Sequence, residues 1–130
     1  MDLTGKTILI ADDDFDYLFQ LKLQISQWGC NVVTADSRKE AEIILESLKP
    51  DLAIFDLMME SEDSGFVLTY RMKKKYPDVP VIIATAVSAE TGMNFGISSD
   101  EDRKWIKADL YLEKGIRPEQ LKMEITKLLQ

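Results

Sequence analysis

Five short apolar runs, each set off by a polar or helix-patterned stretch, constrain this chain more than any other feature of its sequence. They are TILIA at 7–11, NVVTA at 31–35, LAIF at 52–55, VPVIIA at 79–84 and LYL at 110–112. Most are apolar nearly throughout rather than at alternate positions. Such runs read as strands buried on both faces, as in a parallel sheet covered by helices. Between them the apolar spacing becomes helical. Leu18, Leu21, Ile25 and Trp28 form one stripe over 17–28, with Asp14 or Asp16 as its cap and Gly29 as its stop. Ser37 opens a helix to about residue 48 that turns Ala41, Ile44, Leu45 and Leu48 inward, and Pro50 follows it. A third helix over 64–76 is closed by Pro77. A last one starts at Pro118, with Glu119 beside it and Leu121, Ile125 and Leu128 on its inner face.

Strand–helix alternation of this kind indicates an α/β fold. The units are too few for an eightfold barrel. The expected architecture is a flavodoxin-like, doubly wound, five-stranded parallel sheet in the order 2-1-3-4-5, with helices on both faces. The 130 residues make one domain. In that order strands 1 and 3 are neighbours, and ligands bind beyond their carboxyl ends.

Composition removes several classes of function. There is no histidine, so imidazole catalysis and imidazole metal ligation are excluded, and the chain cannot itself be a phosphohistidine donor. The one cysteine, Cys30, allows no intrachain disulfide. A net charge of −7 argues against nucleic acid, whose binding needs a dense basic surface. The run Lys73–Lys75 reads as a solvated helix end. No apolar stretch approaches the ~18 residues of a membrane span, and the polar N-terminus is unlike a signal peptide. A cytoplasmic protein without membrane insertion is expected.

The topology gathers scattered residues into a site. Strand 1 ends in Asp12, Asp13 and Asp14, and strand 3 ends in Asp56. Carboxylates at adjoining strand tips repel unless a cation intervenes, and hard oxygen ligands suit Mg²⁺. Strand 4 brings the hydroxyl of Thr85, and strand 5 runs into Lys114. A carboxylate nucleophile, a metal, a hydroxyl and a fixed cation are the parts of phosphoryl transfer to aspartate. Singly, each has a plainer reading: an Asp that caps a turn, a Thr that fills a strand, a Lys at the surface. Their joint placement at successive strand ends favours the site.

The segments ILIADDDFD, LAIFDLMM, VIIATA and YLEK, in this order, resemble the receiver domain of bacterial response regulators over essentially the whole chain. The resemblance implies a stand-alone receiver without an output domain, a phosphorylation-activated switch of two-component signalling. It implies Asp56 as phosphoacceptor. Mg²⁺ would be held by Asp12, Asp13, Asp56 and the backbone carbonyl of Met58. Thr85 would bond the phosphoryl group and Lys114 would pair with it, and Thr85 and Tyr111 would form the conformational switch. The donor would be a sensor histidine kinase or a histidine phosphotransfer protein. The output would be a downstream protein bound on the face of the fourth helix, fifth strand and fifth helix. Such a domain is not an enzyme in the ordinary sense, although it catalyses its own phosphorylation and dephosphorylation. Met58 and Val87, both apolar, flank the expected phosphoryl site and imply slow self-dephosphorylation.

Three features depart from the family's pattern. The loop over 59–65 is acidic and lacks a proline; its Glu60, Glu62 and Asp63 read as solvated. Lys114 is followed by Gly115, so a cis peptide is not expected there. The segment between Thr85 and Lys114 is long. In it Gly92 and Gly96 frame a loop, Ser98 and Glu101 have capping-box spacing for a short helix to about Lys107, and Met93, Phe95 and Trp105 read as cover for the sheet edge. The alternative is a pseudo-receiver that binds partners without phosphorylation. A dehalogenase-type phosphatase wants a second Asp where Met58 stands, and a flavin phosphate would be repelled by the acidic first loop.

Overall fold

The computed structural model describes residues 2–61, 63–86 and 108–130. The strands are β1 (Thr7–Ala11), β2 (Asn31–Ala35), β3 (Leu52–Asp56), β4 (Val81–Thr85) and β5 (Leu110–Glu113). The helices are α1 (Phe15–Gln27), α2 (Arg38–Ser47), α3 (Ser64–Lys75) and, after β5, α4 (Pro118–Leu128). The strands form one sheet in the order β2-β1-β3-β4-β5, with every neighbouring pair parallel. Fold class and strand order are those expected. The glycine-framed loop, the short helix ending near Lys107, Val87 and Glu62 lie outside the described residues, so the expected fifth helix is α4 here.

Alternation along the strands divides the core in two. Leu9, Ala53, Phe55, Val81 and Ile83 face a layer that includes Ala41 and Leu45 of α2 and Leu68 and Met72 of α3. Ile8, Ile10, Leu52, Ile54, Ile82 and Ala84 face Leu18, Leu21 and Ile25 of α1 and Leu121 and Ile125 of α4. β3 is buried along its whole length, as a central strand covered on both faces should be.

Local chemistry sets the helix ends. Asp14 caps α1, its Oδ1 accepting from the amides of Asp16 (3.0 Å) and Tyr17 (3.3 Å). Past the end of α1, Gly29 takes φ +88°, the left-handed conformation that glycine adopts without strain. Ser37 caps α2 through the Glu40 amide at 3.0 Å. The same N-terminus receives the carboxylate of Glu60, which accepts from the amides of Arg38 (2.8 Å) and Lys39 (3.2 Å). Glu60, exposed as expected, is therefore also a second cap from a distant loop. Burial works against its ionised form, but these amide bonds outweigh that and hold its carboxyl below the usual range.

The lysine run is likewise engaged. Lys75 Nζ donates to the carbonyls of Leu45 (3.0 Å) and Glu46 (2.9 Å) at the end of α2, where Tyr76 Oη also donates to Leu45 (3.1 Å). Lys73 pairs with Asp109 at 2.8 Å. Only Lys74 fits the solvated reading without qualification, and it is exposed near the Tyr70 ring.

Candidate functional site

Strand register builds the site. Ala11 pairs with Phe55, so the next residues, Asp12 and Asp56, leave the sheet side by side. Both continue the alternation that carries Ile10 and Ile54 toward the α1–α4 layer. Asp56 pairs with Ala84 of β4, whose short side chain adds little bulk on that face. On β5, Leu110 and Leu112 pack in the same layer, and Lys114 follows at the same parity. Two carboxylates and an ammonium thus emerge together because strand ends align and side chains alternate.

The resulting contacts are short. Lys114 Nζ lies 2.8 Å from Asp12 Oδ2 and 3.2 Å from Asp56 Oδ1. Asp12 and Asp56 are buried, at 1% and 5% exposure, where an unpaired charge would be costly. Asp12 Oδ1 accepts the Asp14 amide at 2.9 Å, which orients the carboxylate. Oδ2 has the ammonium as its charge partner but no hydrogen bond of regular geometry. Asp13, exposed, completes a triad: Asp12, Asp13 and Asp56 each offer a carboxylate oxygen, all within 4.8 Å of one another.

Burial first, then the charge of Asp12, pushes the Asp56 carboxyl up to about 6; Lys114 pulls the other way and Asp13 adds to the rise. Burial disfavours the charged form of Lys114, but its pairing with Asp12 and the nearby charge of Asp56 outweigh that and hold it above the ordinary lysine range. The arrangement is a buried carboxylate facing a fixed cation, with oxygens of three carboxylates within 4.8 Å of one another. The donor set is hard oxygen throughout. Three carboxylates against one ammonium leave the site two negative charges, so the residues fit a divalent ion of the magnesium type.

Thr85, Met58 and Tyr111 are the other expected site residues among those described. Thr85 closes β4, half-buried, and its carbonyl accepts the Lys114 amide at 2.8 Å. Met58, two residues past Asp56, is exposed. Tyr111 on β5 is 38% exposed and pairs with Ile83 across the strands. Among the described residues no peptide is cis, Lys114–Gly115 included, in line with the glycine there.

Two contributors were not foreseen. A Cβ on Gly65 would stand 2.5 Å from the Asp56 carbonyl oxygen and 2.8 Å from Leu57 Cα, so only glycine lets the start of α3 pass this close behind the site. The Gly65 amide donates to the Leu57 carbonyl at 2.8 Å. Tyr17, on the first turn of α1, sets its ring 4.8 Å from Lys114 Nζ. Burial, with the charges of Asp12 and Asp56, pushes its phenol well above the ordinary range. A Ser-Gly pair at a helix start is a weak signal for the first, and no local pattern marks the second.

The model of the response regulator receiver domain family matches residues 8–126. A probable transcriptional regulator, ycf27, from Cyanophora paradoxa is 30% identical over 130 residues, which cover 100% of this chain and 51% of the relative. The phosphate regulon transcriptional regulatory protein PhoB of Pseudomonas aeruginosa is 28% identical, with coverages of 98% and 53%. The chain spans about half the length of these curated relatives. Among solved structures, a CheY-like receiver domain protein from Methanospirillum hungatei superposes with a TM-score of 0.81 at 25% identity, covering 97% of this chain and 94% of the other. The response regulator TrrA of Thermotoga maritima, solved in complex with Mg²⁺-BeF, gives 0.79 at 29% identity, with coverages of 95% and 99%.

Proposed function

This chain belongs to the response regulator receiver domain family, and from that premise we propose that Asp56 accepts a phosphoryl group and that this switches the domain's contacts with a partner. The observation that carries the reading is the convergence of Asp12, Asp13 and Asp56 within 4.8 Å, with Lys114 bridging two of them. Asp12, Asp13, Asp56 and the Met58 carbonyl would hold Mg²⁺, which when bound supplies positive charge against the phosphoryl oxygens.

The chain's own residues do the rest. An Asp56 carboxylate oxygen attacks phosphorus in line; the O–P bond forms as the donor's bond to phosphorus breaks and its electron pair leaves with the donor. Lys114 moves from the carboxylate to a phosphoryl oxygen, so the charge developing there meets a cation already in place. Thr85, at the adjoining strand end, donates its hydroxyl to the product. Its shift gives Tyr111 room to turn inward, a two-state change biased by a local charge.

The donor is a histidine kinase or histidine phosphotransfer protein, since this chain has no histidine. The output surface includes β5 and α4. Met58 offers no group to activate water, which favours a long-lived phosphoprotein. Among the described residues no helix is long and apolar enough to cross a membrane, and a cytoplasmic place suits such a partner set. Incubation with acetyl phosphate, followed by intact-protein mass spectrometry, tests the reading. Wild type should gain a phosphoryl group only with Mg²⁺, and Asp56→Asn should gain none. Magnesium-independent labelling, or labelling of the variant, overturns it, as does refusal of phosphodonor by the wild type, which would leave the pseudo-receiver alternative.

A further inference from the structure

We propose that Tyr17 is a positioning residue for Lys114, its ring forming the third wall of the slot that holds the ammonium at the phosphoacceptor; this rests on the phosphoacceptor reading of Asp56. Lys114 Nζ has carboxylates of Asp12 and Asp56 on one side at 2.8 and 3.2 Å, and the Tyr17 ring centroid at 4.8 Å. The lysine side chain is only 17% exposed. An ammonium at this distance from an aromatic ring is attracted by its quadrupole, and more strongly when water is largely excluded.

The wall is needed because there is somewhere else for the lysine to go. A cavity of about 120 Å³ lies beside the pair, lined by Tyr17, Gln20, Gln24, Lys114 and Ile116 among others. The glutamine amides there could solvate a lysine that swung out of the slot. The Lys114 backbone is held, its amide donating to the Thr85 carbonyl at 2.8 Å, so the freedom lies in the long side chain. When Asp56 gains a phosphoryl group, the ammonium must leave one oxygen for another. A ring face attracts the cation wherever it stands over the ring, so it can guide that short movement where a hydrogen-bond acceptor would pin one position. The effect is carried by the ring and not the hydroxyl, because no hydrogen bond to Tyr17 Oη occurs among the described residues.

The position of Tyr17 follows from its helix. Asp14 caps α1 and accepts the Tyr17 amide, which fixes where on the first turn the ring departs. Exposed Phe15 and Phe19 leave the same helix elsewhere and have no part in the slot.

The test compares Tyr17→Phe and Tyr17→Leu, in wild-type and Lys114→Met backgrounds, by rate of phosphorylation from acetyl phosphate with Mg²⁺. Y17L should slow the reaction about 3- to 10-fold, and Y17F should restore it to within about twofold. In the K114M background Y17L should cause no further loss, since there is no ammonium left to place. Equal slowing in both backgrounds, or a wild-type rate in Y17L, overturns the proposal. An independent reading comes from the wild type alone: the Lys114 ε-methylene protons should be shifted upfield by the ring current, and shifts at the ordinary position refute the contact. That measurement needs no phosphodonor. A wild type that takes up no phosphoryl group therefore overturns the phosphoacceptor reading, while the ring–lysine contact is judged separately.

Discussion

Replacing Asp56 by Asn should make the metal-free protein more stable at neutral pH, although it removes a partner of Lys114. The folded state raises the Asp56 carboxyl from 3.8 to about 6, through burial first and the Asp12 charge second, with Lys114 only partly offsetting them. A carboxyl raised in the folded state stabilises it fully below the unfolded value and loses that contribution as pH climbs through the folded one. The window therefore runs from about pH 4 to just above about pH 6. At about 1.4 kcal/mol per pH unit the rise sets a ceiling of about 3 kcal/mol. Solvent at the open strand ends screens part of this, leaving about 1–2 kcal/mol. Lys114 keeps its 2.8 Å partner Asp12 in the variant, so no new unpaired cation offsets the gain. Urea denaturation in chelator should show the two proteins alike near about pH 4 and D56N ahead by about 1–2 kcal/mol near about pH 7.5. The difference between the two proteins is the quantity to follow, because other carboxyls titrate in the same range. A gap that does not change with pH, or a variant less stable at neutral pH, would refute the reasoning.

Saturating Mg²⁺ should shrink that advantage: the wild type gains about 2.7 kcal/mol at a hundred times its dissociation constant, and D56N, short of one carboxylate, gains less; equal gains would count against Asp56 as a ligand. Gly65→Ala should cost about 1–3 kcal/mol and lower the melting temperature, because the atoms it would strike belong to the backbone of Asp56 and Leu57 and cannot rotate away; an unchanged melting temperature contradicts this. Glu60→Ala should cost about 0.5–2 kcal/mol and speed amide exchange at Arg38 and Lys39, whose N–H groups it leaves open, and unaltered exchange there removes the capping role. Thr85→Ala should still accept a phosphoryl group, while the side-chain resonances of Tyr111 no longer respond to it; a wild-type response would separate Thr85 from the switch.

Strand positions and strand order were legible in the sequence because both follow from periodicity. Runs such as LAIF can be apolar throughout only where both sheet faces are covered, and the structure buries β3 fully. Once β1 and β3 are neighbours, Asp12 and Asp56 must meet, since each directly follows an apolar run in the same register. Contacts made by long side chains across the fold were not legible. Glu60 reaches the start of α2 across 22 residues of sequence, and Lys75 reaches the end of α2 across 30. Nothing in a local window distinguishes such a residue from a solvated one, because its partner is a backbone group exposed by a helix terminus elsewhere. Gly65 was missed for a related reason: its necessity lies in the path of the backbone at the end of β3.

The site's charge balance explains why these unforeseen contacts matter to its chemistry. Among the described residues Lys114 is the cation that touches the buried oxygens, and Asp12 and Asp56 both draw it. A divalent ion entering among Asp12, Asp13 and Asp56 competes for the oxygens that hold Lys114, and by adding positive charge it weakens their pull on the ammonium. Lys114 must then remain close without being held by carboxylates alone, ready for an oxygen that arrives only with the phosphoryl group. Pairing with Asp12 and Asp56 cannot do this, because its strength falls as the metal takes their charge. The face of Tyr17 at 4.8 Å is not a metal ligand and keeps its attraction throughout. Metal binding and lysine positioning are thus separable. The loss on Tyr17→Leu should therefore appear in the phosphorylation rate at saturating Mg²⁺ and leave the affinity for Mg²⁺ within about twofold of wild type. A magnesium affinity that moved with the rate would mean that the ring acts through the carboxylates instead.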